Sequence, residues 1–338
     1  MKDFRNYSLL RHNSFGIEVR CDRFVEFSSV EELLQVIDSV GGQGSPFLVI
    51  GGGSNLLFTG DYHGTVLHSS IMGIEVLSSD DRFVRIRVGS GENWDEVVRY
   101  CVEHDWYGAE NLSIIPGEVG ASAIQNIGAY GVEVKDLIES VEVVEVATGK
   151  RAVIDNAECR YAYRQSRFKQ EWKGRFVVTH VVYRLCTRFV PRLDYGNIRA
   201  ELTGAGISEP TASDVRQAVI RIRNAKLPDP EVQGNAGSFF MNPIVPKKKF
   251  LELAAMYPGM PHYAVDDDHE KIPAGWMIEQ CGWKGRSLGR AGVHDKQALV
   301  LVNRGGATGR DVVELCETIR HDVLSKFGVE IYPEVNIL

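Results

Sequence analysis

The sequence predicts an α+β protein with more than one domain. Two observations carry the fold class. From about residue 65 strand signals follow one another in quick succession and a helix interrupts them, the pattern of a mostly antiparallel sheet. Beyond residue 213 helices and strands alternate. A third observation sets the organisation: TGAGISEPTAS, residues 203–213, has small residues, glycine and proline but no apolar period, and reads as a linker. At 338 residues the chain has room for two or three domains.

The elements follow in order. GIEVRC, residues 16–21, alternates like a strand. SSVEELLQVIDSVGG is a capped helix: Ser28 or Ser29 starts it, Glu31 or Glu32 follows three residues on, and Gly41 ends it. PFLVI, 46–50, is a short buried strand. GTVLHSS, GIEVLSS and DRFVRIRVGSG are successive strands. ENWDEVVRYCVEHDW is a helix with Trp94, Val97, Val98 and Cys101 on one face. VEVVEVATG, KRAVID and FVVTHVVYRL add strands, and DVRQAVIRIRNAK is a helix stopped by Leu227-Pro228. Then come the helix PAGWMIEQCGWKG, the strand QALVLVN and a helix from about Thr308 to Lys326. The latter has Val312, Leu315, Ile319, Val323 and Phe327 on its apolar side. VEIYPEVNIL reads as a final strand.

Composition excludes several classes. The formal net charge of −7 argues against a sequence-independent nucleic-acid surface, so an anionic ligand must meet a local cluster of cations. No apolar run has the length of a membrane span, and MKDFRNYSLLRHNSFG lacks the apolar core of a signal peptide. Six cysteines at 21, 101, 159, 186, 281 and 316 form no CxxC pair. They read as reduced thiols of a cytoplasmic protein, with no disulfide frame and no metal site. Lys247-Lys248-Lys249 and Asp266-Asp267-Asp268-His269-Glu270 read as solvated faces.

Two loops invite chemistry. Gly51-Gly52-Gly53-Ser54-Asn55 follows a buried strand; its amides can approach a ligand with no side chain in the way and can form a nest for phosphate. No GK[ST] ends it, so it is no Walker A loop, and Leu56-Leu57-Phe58 is too short and apolar to open a dinucleotide-binding helix. IPGEVGASAIQNIGAYGVEV, residues 115–134, is punctuated by Gly117, Gly120, Gly128 and Gly131, with polar tips at Ser122, Gln125, Asn126 and Tyr130. One such loop reads equally as a tight turn; two together favour a ligand containing a pyrophosphate. A third stretch, GNAGSFFMNP at 234–243, holds one hydroxyl, Ser238, which either bonds its own turn or meets a substrate.

GGGSNLLF, IPGEVGASAIQNIGAYG, YRQSRFK, GNAGSFFMNP and YPEVNIL, in this order, resemble the UDP-N-acetylenolpyruvoylglucosamine reductases. The resemblance runs from HNSFG at 12–16 to the last residues. It implies a two-part FAD-binding region of the vanillyl-alcohol-oxidase type plus a C-terminal α/β substrate domain. The expected parts are residues 1–70 with 330–338, then 71–210, then 214–329. It also implies non-covalent FAD as cofactor, NADPH as cosubstrate, and UDP-N-acetylglucosamine enolpyruvate as substrate of a cytoplasmic monomer in peptidoglycan precursor synthesis.

The implied reaction passes hydride from flavin N5 to C3 of an enolpyruvyl double bond and a proton to C2, while charge develops on C2 and the neighbouring carboxylate. The resemblance assigns the charge to Arg164 and Glu334 and the proton to Ser238. For FAD it points to Gly51, Gly52, Gly53, Ser54 and Asn55, and in the second loop to Pro116, Gly117, Gly120, Ala121, Ser122, Gln125, Asn126, Gly128, Tyr130, Gly131 and Val132. For the substrate's diphosphate and uridine it points to Tyr195, Lys226 and Asn242, with Lys284 and Gln297 as weaker additions. RLDYGNIR, 192–199, matches the longer subtype, whose loop closes over substrate. Two positions depart from the family: Gln165 stands where Asp is usual, weakening an ion pair near Arg164, and Ala123 where Pro is common, loosening the second loop. Rival readings are another flavin oxidase of the same fold, a nucleotidyltransferase cradling a triphosphate on GGGSN, and a nucleotide-sugar-binding protein without redox chemistry.

Overall fold

Burial runs unbroken from Val177 to Tyr183 within Phe176–Cys186, and this eleven-residue strand is the middle of a five-stranded antiparallel sheet. The coordinates are those of a computed structural model that describes residues 1–41 and 46–338. They separate into two compact units: Met1–Tyr7, Arg20–Gly52 and Tyr62–Ala225 form the first, and Ser8–Val19, Gly53–Asp61 and Lys226–Leu338 the second.

In the first unit the strand order is Arg151–Asp155, Ile138–Glu145, Phe176–Cys186, Phe83–Gly89, Ile74–Ser79. Val88, Val181 and Val141 sit in register across three strands and all are fully buried. Successive strand residues point to opposite faces, so a strand buried without a break is covered on both. Here Val181 and Tyr183 join a core with Trp94, Val97, Val98 and Cys101 of the helix Trp94–Glu103. Val177 joins a different core, with Leu33, Val36 and Ile37 of the helix Val30–Gly41. Asn93 caps the first helix, accepting from the amides of Asp95 and Glu96, a cap typically contributing about 1 kcal/mol. Ser29 caps the second, its Oγ accepting from Glu32 N at 3.1 Å.

Beside these lies a parallel trio, Arg20–Phe27, Tyr62–Ser69 and Phe47–Ile50, with Lys2–Ser8 on its edge. The expected strand 16–21 begins only at Arg20. The Asn13 side chain takes the partners a ladder would need: it donates to the carbonyls of Leu9 and Ile17 and accepts from Ile17 N. The sequence 203–213 joins two helices, Ile198–Gly204 and Ala212–Lys226, whose Ile198, Leu202, Val215, Val219 and Ile222 share a small core.

The second unit has a sheet in the order Asn235–Ser238, Val300–Asn303, Ala291–Val293, Ser287–Leu288. The helix Gly309–Phe327 starts in a capping box of Thr308 and Asp311 and buries the five apolar residues its period selects. The final segment is strand only at Asn336–Ile337, which pairs in parallel with Leu56–Leu57. Pro333 brings no N–H to a ladder and makes only an isolated bridge to Phe240. The two charge runs are also not independent solvated faces. Ile244–Pro246 pairs antiparallel with His269–Lys271, which brings Lys247 onto the buried carboxylate of Glu270.

Candidate functional site

In the first unit the two glycine loops pack on each other. A Cβ at Gly51 would lie 3.1 Å from Ala121 Cβ and 3.2 Å from Glu118 Oε2; one at Gly52 would lie 3.6 Å from Gly117 Cα. Where the loops meet, the Ala121 methyl and the Glu118 carboxylate therefore face a glycine, and Gly52 presents bare backbone to solvent. The second loop is more structured than its glycines imply: a helix, Val119–Gln125, runs into the hairpin Gly128–Ala129 and Val132–Glu133. Gly120 lets that helix touch Ser90, whose Cβ would be 2.9 Å from an added Cβ. Ala123 is fully buried within the helix, so the expected loosening does not arise; alanine is the best helix former and proline the worst.

Several polar tips of this loop turn inward. Ser122 is buried and its Oγ donates to Val119 O at 2.7 Å. Asn126, at φ 47°, donates to Glu133 Oε2 and Ala162 O and accepts from Lys135 N. Val132 sits in the core. For these three residues the backbone is what remains for a ligand, while Pro116 and Gly131 are exposed and Gln125 and Tyr130 half-buried.

Arg164 occupies a tight turn closed by paired bonds between Ala162 and Gln165, in the left-handed region at φ 56°. Its guanidinium donates to Gly128 O at 2.6 Å and to Asn126 O at 3.4 Å, which fixes it on the second loop. Gln165 accepts from Gln170 Nε2 at 3.2 Å, a neutral contact where the family's Asp would bring charge. Tyr195 lies against the same hairpin, its Cβ 3.2 Å from the position of a Cβ on Gly131. Arg164, Tyr195 and the hairpin are thus gathered in one place.

The first unit holds two further groups that the sequence did not single out. His68, on the strand Tyr62–Ser69, directs Nε2 at Glu118 Oε1 (2.9 Å) and Nδ1 at Glu26 Oε2 (3.3 Å). Burial alone would lower the His68 pKa; the two carboxylates outweigh it and raise the value, which favours the doubly protonated ring. The other, Arg223, is packed between Tyr130 and the Ile114 carbonyl. His68 shares the strand YHGTVLHS with a second histidine, His63, so nothing local marks either group.

The second unit holds Gly53, Ser54 and Asn55. Gly53 has φ 66° and nestles against the backbone of His12 and Asn13. Asn55 Nδ2 donates to Glu334 O at 3.4 Å. Glu334 N in turn donates to Phe239 O at 2.7 Å, so the terminal segment packs back beside Ser238. The turn before Ser238 is organised by buried Asn235, which accepts from Gly237 N and donates to Gln233 O. The Ser238 residue is exposed. Asn242 Oδ1 accepts from Ala274 N at 2.9 Å, capping the helix Ala274–Gln280. Lys284 pairs with Glu279 at 3.0 Å, Gln297 Oε1 accepts from Leu299 N at 3.2 Å, and Lys226 is exposed at the end of its helix. Among the described residues no group of three His, Cys, Asp or Glu is placed to hold a metal ion.

Comparisons with known proteins match these features. An FAD-binding domain model matches residues 21–155, and a model of the C-terminal domain of UDP-N-acetylenolpyruvoylglucosamine reductase matches 229–338. A reductase of that name from Bacteroides fragilis is 58% identical over 335 residues, 99% of each chain. One from Burkholderia multivorans is 47% identical, covering 97% of this chain and 95% of its own. A crystal structure of the Thermus caldophilus enzyme of this name superposes with a TM-score of 0.67 at 22% identity, covering 99% of this chain and 98% of that one. It shows the fold. By sequence over its full length, the chain belongs to the UDP-N-acetylenolpyruvoylglucosamine reductases, FAD-dependent oxidoreductases of peptidoglycan precursor synthesis.

Proposed function

We propose that this chain reduces UDP-N-acetylglucosamine enolpyruvate to UDP-N-acetylmuramate with NADPH as the hydride source. The observation that supports it best is the packing of Gly51 and Gly52 on Gly117, Glu118 and Ala121, inside the stretch that matches an FAD-binding domain. Backbone free of side chains suits close approach of a pyrophosphate. The proposed cofactor contacts are Gly51, Gly52, Gly53, Ser54 and Asn55, and in the second loop Pro116, Gly117, Gly120, Ala121, Ser122, Gln125, Asn126, Gly128, Tyr130, Gly131 and Val132. These residues would hold FAD, which, reduced by NADPH, would supply the hydride that passes from N5 to C3 of the double bond.

The chain's own residues do the rest. Arg164 and Glu334 manage the charge that develops at C2 and the carboxylate, a guanidinium fork being suited to a planar carboxylate. Ser238 donates the proton to C2. A serine hydroxyl is a poor acid in water, but an enolate is a strong base, and a cation brought near would stabilise the alkoxide left behind. That Ser238 is exposed, next to the Phe239 carbonyl that accepts from Glu334 N, supports this role. Tyr195, Lys226, Asn242, Lys284 and Gln297 are the proposed contacts to the diphosphate and uridine. Parts 1–70 with 330–338, 71–210 and 214–329 remain our functional division of a cytoplasmic monomer.

Separating the two half-reactions tests the reading. In Ser238→Ala, stopped-flow should find flavin reduction by NADPH nearly intact. Reoxidation by the enolpyruvyl substrate should fall by the ~10²–10⁴-fold typical of a lost general acid. Equal damage to both halves would make Ser238 structural.

A further inference from the structure

Glu118 Oε2 is buried and has no hydrogen-bond partner among the described residues. It is the atom of Glu118 nearest a Cβ on Gly51, at 3.2 Å. Leaving a buried carboxylate oxygen unsatisfied is costly, so a fold keeps one only where something compensates. Its orientation is also enforced. Oε1 is held by His68 Nε2, and His68 is held from behind by Glu26, which pairs with Lys2. The relay pins one oxygen and leaves the second aimed at the glycine turn.

What can satisfy that oxygen follows from its chemistry. A carboxylate oxygen accepts only, so phosphate is repelled and a donor is required. The adjacent helix amides cannot serve, because Val119 N donates to Glu92 O and Gly120 N to Ser90 O. In a flavin dinucleotide whose pyrophosphate lies on the Gly51-Gly52 backbone, the donors next to that pyrophosphate are sugar hydroxyls. The ribityl chain supplies them on one side and the adenosine ribose on the other. We propose that Glu118, positioned by His68 and Glu26, accepts a hydrogen bond from a sugar hydroxyl of bound FAD and so helps hold the cofactor. This rests on the reading that the two glycine loops cradle the dinucleotide.

The test measures flavin retention, without turnover. Wild type, Glu118→Gln and Glu118→Ala are purified as holoproteins, stripped of flavin and titrated with FAD by quenching of its fluorescence. Titrations with FAD analogues lacking single ribityl or ribose hydroxyls follow. A hydrogen bond to a charged group predicts that Glu118→Ala weakens FAD binding ~10-fold or more, with Glu118→Gln between it and wild type. For the analogue that lacks the partner hydroxyl, wild type and Glu118→Ala should bind alike, and the position of that hydroxyl distinguishes ribityl from ribose. Should the alanine variant not fold, Glu118→Gln, which still offers His68 an acceptor, gives the same comparison. Variants that hold FAD as tightly as wild type, or a penalty equal for every analogue, would overturn the inference. A wild-type protein with no flavin at all would instead overturn the underlying cradle.

Discussion

At the scale of single residues, the three consecutive glycines are not equivalent. An alanine at Gly53 would need a left-handed backbone and would put its Cβ 2.0 Å from His12 O. At Gly51 the added carbon meets Ala121 and Glu118 just inside normal contact, and at Gly52 it meets only ordinary van der Waals distance. Urea unfolding should therefore rank the variants. Gly53→Ala should lose more than the ~1–3 kcal/mol of backbone strain alone, Gly51→Ala less, and Gly52→Ala within about 0.5 kcal/mol of wild type. Flavin retention should suffer most, relative to stability, in Gly51→Ala, because that carbon pushes on the carboxylate of Glu118. A flat ranking would mean the loop adapts around all three.

At the scale of elements, one ion pair ties two helices of the first unit. Arg216, on Ala212–Lys226, donates from both terminal nitrogens to Asp95 on Trp94–Glu103, at 2.6 and 2.9 Å. Asp95 also accepts from Ile114 N at 2.6 Å. Arg216 is only 9% exposed and Asp95 23%, so removal of one partner strands a largely buried charge. Arg216→Ala should lower unfolding free energy by about 3 kcal/mol at neutral pH, the lower end for a buried pair, since Asp95 keeps some water. Burial alone would push the Asp95 carboxyl up; Arg216, the Ile114 amide and Arg223 outweigh it and hold it below its ordinary range. A depressed folded-state pKa stabilises the fold above the unfolded value, and that contribution is lost as pH falls. The gap between wild type and Arg216→Ala should thus be full at pH 7 and shrink as pH drops below about 4. A gap that does not change with pH would remove Asp95 from the explanation.

At the scale of the whole chain, the thiols offer a direct check. All six cysteines are free: Cys186 is exposed, Cys281 partly so, and the other four buried. Burial pushes the Cys21 and Cys159 thiols up to about 11 and those of Cys101 and Cys316 up to about 12, far from the reactive thiolate range. A disulfide reagent at pH 8 should therefore titrate Cys186 first, Cys281 more slowly, and the remaining four only on unfolding. Cys186→Ser should erase the fast phase and leave unfolding unchanged. Among the described residues no helix is long and apolar enough to cross a membrane.

Local pattern was enough for much of this protein. The helix capped at Ser28 or Ser29 follows from its capping pattern, and the apolar faces of Trp94–Glu103 and Gly309–Phe327 and the antiparallel sheet follow from periods of 3.6 and 2 read over a few residues. The glycine loops and the family were legible too, because long motifs survive in linear order. Where the reading erred, a side chain or a distant strand had claimed the backbone: Asn13 delayed the strand at Arg20, Pro333 split the last one, and Ala123 lay in a helix. Only tertiary structure could set Glu334 N on Phe239 O, turn Ser122 and Asn126 inward, and aim Glu118 from His68 toward Gly51. A sequence fixes what a residue prefers among its neighbours in the chain. Which residues a hundred positions away become its neighbours in space is decided when the cores close, and the hydrogen-bonding capacity left over at that moment is what a ligand can use.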